Sequence, residues 1–217
     1  MIQVLYVSFN KKLPEDIWHR HLHRLPRTIQ NKIRRYVRWQ DRHAGLFGKL
    51  LLLEGLRDYG YPRSCLESLL QNEFGRPFLN SEIDFNISHS EEYAVCAISD
   101  KGRVGIDVEA IRSINLTHFQ DYLTNEEWQA ITKSGKPHET FYHYWTIKES
   151  VIKADGKGLS TPLSDVIIQN RKALLKETVW FLRELNLHPR YKCHLATNLE
   201  NSEIRIRKLG EHFLNGV

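Results

Sequence analysis

The stretch Val-Gly-Ile-Asp-Val-Glu (104–109) holds the pattern on which the fold and chemistry of this chain depend. Apolar and acidic residues alternate along its second half, and residues two apart in an extended strand point to the same side. Asp107 and Glu109 therefore share one face of a strand, while the three aliphatic side chains share the other. The aliphatic face predicts packing against a core, and the paired carboxylates can chelate a hard cation.

A second pattern lies in Phe-Tyr-His-Tyr-Trp-Thr-Ile-Lys-Glu-Ser-Val-Ile-Lys (141–153). Trp145, Glu149 and Lys153 recur every four residues, which places them along one stripe of a helix. Glu149 would supply a third oxygen ligand, and Lys153, one turn later, an ammonium group that attracts phosphate. Together with the strand carboxylates, this stripe predicts a Mg²⁺-assisted enzyme that acts on a phosphorylated substrate.

Each of these patterns also has a purely structural interpretation. Exposed strand faces are often acidic, and a Glu and a Lys four residues apart commonly form a surface ion pair of about 0.3 to 0.5 kcal/mol. The combination favours function, because Asp is disfavoured in strands and three oxygen ligands become available together. Ser88-His89-Ser90 is either a polar hairpin turn or a source of hydroxyl and imidazole groups for phosphate oxygens.

Periodicity and turn residues predict an order of elements. A strand at about 2–8 precedes a basic, partly helical segment at 16–42 and an apolar helix at 42–58 that ends before Gly60 and Pro62. A three-stranded antiparallel meander is expected from Ile83 to Glu109, and Thr124 or Asn125 is expected to cap a short helix. A long helix at 138–154 and a β-rich last third follow, with strands near 166–168, 179–182, 191–196 and 204–206.

Composition limits the class of protein. The chain has 217 residues, of which 41% are hydrophobic, and 31 Lys and Arg against 26 Asp and Glu give a net charge of +5. This balance favours anionic partners such as nucleic acid, a phosphorylated cofactor or an acidic protein. Three scattered cysteines (Cys65, Cys96 and Cys193) favour reduced thiols, and the longest aliphatic run (50–53) is too short to span a membrane. We therefore expect a soluble, cytoplasmic protein.

The basic segment 16–42 supports an alternative function. Its lysines and arginines are interleaved with Tyr36 and Trp39, a combination that can hold a nucleotide or contact RNA. A non-catalytic nucleic-acid-binding protein built on this segment is therefore the alternative hypothesis. His19, His21 and His23 alternate in the same segment, but the neighbouring arginines favour a basic solvated face over a metal site.

Taken together and in this order, the motifs resemble the 4'-phosphopantetheinyl transferases, in particular the larger, monomeric surfactin-type branch. The resemblance covers about 85 residues. It rests on Gly75-Arg76-Pro77, Phe85-Asn86-Ile87-Ser88-His89-Ser90, Gly105-Ile106-Asp107-Val108-Glu109, Trp145-Thr146 with Lys148-Glu149-Ser150 and Lys153, and Gly156-Lys157-Gly158-Leu159. The resemblance implies Mg²⁺-dependent transfer of the 4'-phosphopantetheine arm of coenzyme A to a serine of an apo acyl or peptidyl carrier protein. The other product would be adenosine 3',5'-bisphosphate.

The resemblance also implies roles for individual residues. Asp107, Glu109 and Glu149 correspond to the Mg²⁺ ligands of the family, and Glu149 is a candidate to accept the serine proton. Glu127 corresponds to an acid that some members carry near the metal. The expected phosphate-binding residues are Arg42, Arg76, Ser88, His89 and Lys153, of which Arg76 replaces a common lysine and Arg42 is the candidate for the 3'-phosphate of adenosine.

The family fold implies an α+β pseudo-dimer, in which each half is a small antiparallel sheet with a long helix. The halves would be 1–101, which contacts the cofactor, and 102–217, which carries the acids and the catalytic helix. A weak similarity between the segments around Trp39 and Trp145 is consistent with such a repeat. We expect a monomer that binds an acidic carrier protein and neither nucleic acid nor membrane.

Overall fold

The computed structural model describes residues 1–210 and 213 and has an α+β fold with two main sheets. Residues 211, 212 and 214–217 of the predicted C-terminal half lie outside the described residues. The strands are β1 (Ile2–Ser8), β2 (Leu70–Gln71), β3 (Pro77–Phe78), β4 (Asp84–Ser90), β5 (Tyr93–Ser99), β6 (Val104–Ala110), β7 (Ile167–Gln169), β8 (Lys172–Leu175), β9 (Thr178–Glu184), β10 (Tyr191–Thr197) and β11 (Ile204–Lys208). The helices are α1 (Glu15–Leu22), α2 (Arg27–Arg34), α3 (Trp39–Asp58), α4 (Asn125–Thr132) and α5 (Pro137–Asp155).

The first sheet has the strand order β11-β1-β5-β4, and the apolar helix α3 packs on it. The leucines at 50–53 are fully or almost fully buried, and they form one core with Leu5, Phe47 and Phe85. Strand β11 comes from the predicted C-terminal half but pairs in parallel with β1. One strand therefore crosses from the second half of the chain into the sheet of the first.

The second sheet has the order β6-β10-β9-β8-β7, and α5 lies across β6 and β10. Gly105 permits this close packing, because a Cβ atom there would stand only 2.4 Å from the backbone nitrogen of Ala154 in α5. The aliphatic face of β6 packs in a core that the two sheets share. The first sheet contributes Val4 and Val95 to this core, and the second sheet contributes Leu195. The predicted alternation along 104–109 is thereby confirmed.

The expected three-stranded meander is wrong in its third strand. Strands β4 and β5 form the predicted hairpin, but the other edge of β5 is occupied by β1, so β6 pairs with β10 instead. Strands β4 and β6 lie in different sheets and share no backbone ladder, and four side chains of β4 take its place. They accept hydrogen bonds from alternate amides of β6: Asp84 from Val104 at 2.7 Å, Asn86 from Ile106 at 3.0 Å, Ser88 from Val108 at 3.4 Å and Ser90 from Ala110 at 3.1 Å. We call this row the seam.

The predicted helices are confirmed with shifts at their ends. Helix α3 begins at Trp39, one turn before the predicted start at residue 42, and α5 extends the predicted range 138–154 by one residue at each end. Segment 16–42 contains two short helices, each preceded by a proline (Pro14 and Pro26), and the start of α3. Thr124 caps α4 in a capping box. No helix among the described residues combines the length and hydropathy needed to cross a bilayer.

Candidate active site

The predicted carboxylates and the lysine meet in one pocket between the two sheets. The pocket has a volume of 310 Å³ and is lined by residues of β4 (Ile87, Ser88 and His89), β6 (Asp107 and Glu109) and α5 (Trp145, Glu149 and Lys153). Strand β6 contributes the face opposite its core face, and α5 contributes the predicted stripe. Six of the predicted site residues therefore line a single pocket, although they come from three separate parts of the chain.

Asp107 is the centre of the hydrogen-bond network of this pocket. Its Oδ1 atom accepts a hydrogen bond from the Ser88 hydroxyl at 2.9 Å and pairs with Lys153 Nζ at 2.5 Å. Lys153 also donates to the Ser88 hydroxyl at 3.1 Å, which closes a triangle of three groups. The Ser90 hydroxyl donates to Glu109 at 2.7 Å. Ser88 and Ser90 thus each accept a hydrogen bond from an amide of β6 and donate one to a carboxylate of β6.

The carboxylates carry more negative charge than Lys153 can neutralise. Burial, and then the charge of Asp107, raise the pKa of Glu109 to about 7. Burial also raises the pKa of Glu149, to which Asp107 again contributes. Burial acts to lower the pKa of Lys153, but Asp107 and the two glutamates outweigh it, and the net shift is upward.

The residues present have the properties of a magnesium site. The Oδ2 atom of Asp107 is buried without a hydrogen-bond partner among the described residues, and a buried unpaired carboxylate oxygen is costly unless a cation binds it. Three carboxylates supply the hard oxygen ligands that Mg²⁺ prefers. Asp107, Glu109 and Glu149 are the residues that would hold the ion.

A larger pocket of 610 Å³ adjoins the first. Ile87 and His89 line both pockets, so an elongated ligand can pass from one into the other. Two lysines, Lys32 of α2 and Lys49 of α3, line the larger pocket. Lys49 has no hydrogen bond or ion pair within the described part of the chain, and burial lowers its pKa. An unpaired, partly buried ammonium group is suited to an anionic ligand.

Two predicted site residues are used elsewhere in the structure. The Arg76 guanidinium binds both oxygens of Asp84, at 2.8 and 2.9 Å, and the Val104 carbonyl at 2.9 Å, so it fastens the seam. Glu127 binds the buried Lys148 at 3.0 Å and the Thr124 amide at 2.8 Å. Neither side chain lines the pocket of Asp107, and the expected phosphate-binding role of Arg76 and catalytic role of Glu127 stay predictions.

Arg42 makes its hydrogen bond outside the two pockets, and its expected role at the 3'-phosphate stays a prediction. Its Nε atom donates to the Tyr36 carbonyl at 2.7 Å, and its side chain lines neither of the two pockets. The structure brings Lys49 to the larger pocket instead, about two turns farther along α3. Sequence analysis missed Lys49 because it lies within an apolar run, and it missed the link from Ser90 to Glu109. The alternation of polar residues along 84–90 was the available signal for the seam.

Two family models cover nearly the whole chain. The model of the 4'-phosphopantetheinyl transferase superfamily matches residues 103–206, and the model of the N-terminal region of a 4'-phosphopantetheinyl transferase matches residues 13–101. The 4'-phosphopantetheinyl transferase gsp of Aneurinibacillus migulanus is 32% identical over 100% of this chain and 97% of its own length. This chain belongs to the 4'-phosphopantetheinyl transferase family.

Other relatives support the surfactin-type branch. The 4'-phosphopantetheinyl transferase Sfp of Bacillus subtilis (strain 168) is 30% identical over 77% of this chain and 76% of its own length. The protein is therefore an enzyme, a phosphopantetheinyl transferase with the two-half α+β fold of its family. Within that fold, the candidate catalytic pocket lies where the seam and α5 meet.

Proposed function

We propose that this phosphopantetheinyl transferase moves the 4'-phosphopantetheine arm of coenzyme A to a serine hydroxyl of an apo acyl or peptidyl carrier protein. The other product is adenosine 3',5'-bisphosphate. The observation that carries the proposal is the convergence of three carboxylates, Lys153, Ser88 and His89 in one pocket. An anionic, metal-assisted reaction at a pyrophosphate requires this combination of oxygen ligands and cationic or hydroxyl donors.

Mg²⁺ is the proposed metal, held by Asp107, Glu109 and Glu149. When bound, the ion neutralises negative charge on the pyrophosphate of coenzyme A. The protein residues do the remaining work. Lys153 is held by Asp107 and Ser88, so its ammonium group is fixed in position to bind an oxygen of the attacked phosphate. Glu149, on the same face of α5, is placed to take the proton of the carrier serine.

The chemical step exchanges one phosphorus–oxygen bond for another. The carrier serine oxygen bonds to the phosphorus next to pantetheine, and the bond from that phosphorus to the bridging oxygen breaks. The electron pair leaves on adenosine 3',5'-bisphosphate, while the serine proton passes to Glu149. Because the bound substrates are positioned by fixed groups, much of the rate gain comes from orientation and preorganised charge.

Coenzyme A is proposed to extend across the two adjoining pockets. Its pyrophosphate would contact His89 and Ser88 in the catalytic pocket, and its nucleotide would occupy the larger one. Lys49 is the proposed ligand of the adenosine 3'-phosphate, in place of Arg42, because Lys49 is an unpaired cation that lines that pocket and Arg42 does not line it. Lys32 lines the same pocket and adds to its positive charge.

The proposed partner is an acidic carrier protein that binds transiently to a monomeric transferase in the cytoplasm. The net charge of +5 favours an acidic partner, and three free, buried cysteines are consistent with a reducing compartment. No membrane or nucleic acid is part of the proposal. Lys32 and Tyr36, which supported the nucleic-acid hypothesis, line the larger pocket.

The test is incubation of the purified protein with coenzyme A, MgCl₂ and a panel of apo carrier proteins, followed by mass spectrometry. The expected result is a mass gain of one phosphopantetheine group on at least one carrier, abolished by EDTA and restored by Mg²⁺. A mass gain that is insensitive to EDTA would contradict the metal role. A short RNA that binds more tightly than coenzyme A with Mg²⁺ would favour the nucleic-acid hypothesis instead.

A further inference from the structure

A second cluster of metal-ligating side chains lies on the same sheet as Asp107 but outside the catalytic pocket. It consists of His143 on α5, Glu184 at the end of β9 and His194 on β10, and one donor atom of each lies within 4.8 Å of the others. His194 is the register partner of Glu184 on one side and of Asp107 on the other. Cross-strand partners share a face, so α5 brings His143 over Glu184 and His194.

The hydrogen bonds of His194 leave one ring nitrogen ready to bind a metal. Its Nδ1 atom lies 2.7 Å from the Thr146 hydroxyl, and that hydroxyl donates its only proton to the Tyr142 carbonyl at 2.7 Å. The tautomer that satisfies both contacts has a proton on Nδ1, which donates to Thr146, and leaves the free lone pair on Nε2. A metal-ligating histidine usually donates from its other nitrogen in this way.

Burial favours the uncharged form of both imidazoles, which is the form that binds metals. Burial lowers the pKa of His194 to about 3, with a further contribution from His143. Burial also lowers the pKa of His143. The two rings pack edge to face with centroids 4.8 Å apart, and His194 is only 2% exposed. This geometry holds His194 in place and leaves the half-buried His143 able to adjust.

Charges around the cluster can accommodate a dication. Lys192 Nζ binds one oxygen of Glu184 at 2.9 Å and also contacts Glu139 at 3.3 Å. The two acids exceed the one ammonium group by a single negative charge. Glu184 is an exposed residue. The donor atoms of the three residues lie up to 4.8 Å from one another. They must approach one another by roughly 1 Å to bind one ion with bond lengths of about 2.0 to 2.2 Å.

We propose that His143, Glu184 and His194 form a second metal site, selective for Zn²⁺ or a similar nitrogen-preferring cation, that fastens α5 to β9 and β10. Two imidazoles and one carboxylate make a donor set typical of zinc, whereas Mg²⁺ selects oxygen. The site holds the first half of α5, and the second half of that helix carries Glu149 and Lys153. The ion therefore has a structural role that stabilises the catalytic face.

The test is calorimetric titration of the full chain with ZnCl₂ at millimolar Mg²⁺, which competes for the carboxylate pocket under the proposed function. The expected result is one Zn²⁺ bound per chain, with affinity lowered roughly 10- to 100-fold in His143→Ala and in Glu184→Gln. Both residues lie at the surface side of the cluster, so these variants should keep the fold. His19→Ala is the control, because His19 on α1 and His23 just after its end form another histidine pair, which is exposed and has ring centroids 6.0 Å apart.

Cobalt provides an independent readout of the ligands. Co²⁺ bound to the wild-type chain should give visible absorption of a nitrogen-containing, low-coordinate site, and this absorption should be absent in His143→Ala. The melting temperature of the wild type should rise with Zn²⁺, and that of Glu184→Gln should not. Zn²⁺ binding that is unchanged in both cluster variants, or that is lost in His19→Ala alone, would overturn the proposal.

Discussion

Asp107 has the most constrained surroundings of the three site carboxylates. It is 2% exposed, one of its oxygens binds both Ser88 and Lys153, and the other has no partner within the described residues. The shared oxygen fixes the position of the lysine, and the free oxygen is available to a cation. A single side chain thus links the ammonium group to the proposed metal.

Replacement of Asp107 by Asn should lower transfer at least about 100-fold, because an amide cannot hold both Lys153 and a cation. The melting temperature should change by only a few degrees, since Lys153 keeps contact with solvent. Turnover at saturating coenzyme A and a thermal melt check both expectations. Glu139→Gln, on α5 but outside the pocket of Asp107, is the control and should retain wild-type turnover. Full activity of Asp107→Asn at millimolar Mg²⁺ would refute the ligand assignment.

Lys49→Met should weaken coenzyme A binding by roughly 10- to 100-fold, since a charge-assisted hydrogen bond contributes about 1.5 to 3 kcal/mol. With 3'-dephospho-coenzyme A the variant and the wild type should bind alike, because the proposed partner of Lys49 is then missing. Arg42→Met is the matched control and should bind both ligands as the wild type does. If Lys49→Met weakens both ligands equally, the lysine contacts another part of the substrate.

At the scale of elements, the close packing of α5 on β6 determines the catalytic geometry. Strand β6 carries Asp107 and Glu109, and α5 carries Glu149 and Lys153. The two elements can approach because Gly105 has no side chain: a Cβ atom there would lie 2.0 Å from the Ser150 carbonyl oxygen. This clash and the one with the Ala154 nitrogen at 2.4 Å involve backbone atoms, so the helix itself would have to move.

Gly105→Ala should therefore displace α5, lower stability by about 1 to 3 kcal/mol and reduce turnover by separating Lys153 from Asp107. Urea unfolding and steady-state kinetics measure the two effects. Gly135→Ala is the control, since a Cβ atom at Gly135 meets nothing within 4 Å. Normal turnover in Gly105→Ala would show that the pocket tolerates a shift of the helix.

The start of α3 is held by a neutral histidine. His43 Nε2 accepts a hydrogen bond from the Leu13 amide at 2.9 Å, and Nδ1 faces the Trp39 carbonyl at 2.8 Å. Burial lowers the pKa of His43 below its usual value of 6.5. Below pH 6.5 the unfolded chain therefore takes up a proton that the folded chain resists, and stability falls as the pH decreases.

His43→Gln should remove this part of the acid destabilisation. Its free energy of unfolding should depend less on pH between 7 and 5 than that of the wild type, because glutamine does not titrate. Urea unfolding at several pH values provides the comparison. His118→Gln, which changes an exposed histidine, should keep the wild-type pH dependence. Equal slopes for His43→Gln and the wild type would contradict the assignment.

For the whole molecule, the seam joins the two sheets without a shared backbone ladder. Side chains of β4 satisfy alternate amides of β6, and Arg76 clamps the end of the row to Asp84 and to the Val104 carbonyl. Its two serines also bind Asp107 and Glu109. The contact between the sheets and the acid pocket therefore depend on the same row of side chains.

Asn86→Ala should leave the buried Ile106 amide without an acceptor, at a cost of about 1 to 3 kcal/mol. Because this position lies between Asp84 and Ser88 in the seam, turnover should fall together with stability. Asn10→Ala, at an exposed position, is the control and should change neither. An Asn86→Ala protein of wild-type stability would show that water or another group satisfies the amide.

The sequence alone determined the local periodicities and the set of motifs. Alternation along 104–109 and the four-residue spacing from Trp145 to Lys153 depend only on strand and helix geometry, so the faces they predicted are confirmed. The ordered motifs also identified the family, because they lie within short stretches of chain. The same reasoning placed Asp107, Glu109, Glu149 and Lys153 in one site.

Only the tertiary structure decided which partners those elements and side chains meet. Strand β6 joins the second sheet because β1 already occupies the edge of β5, and no local pattern encodes that competition. Arg76 turns to the seam and Glu127 to Lys148, whereas Lys49 faces the larger pocket. Long charged side chains pair with groups that can be tens of residues away in the sequence. Only the folded structure brings those groups together.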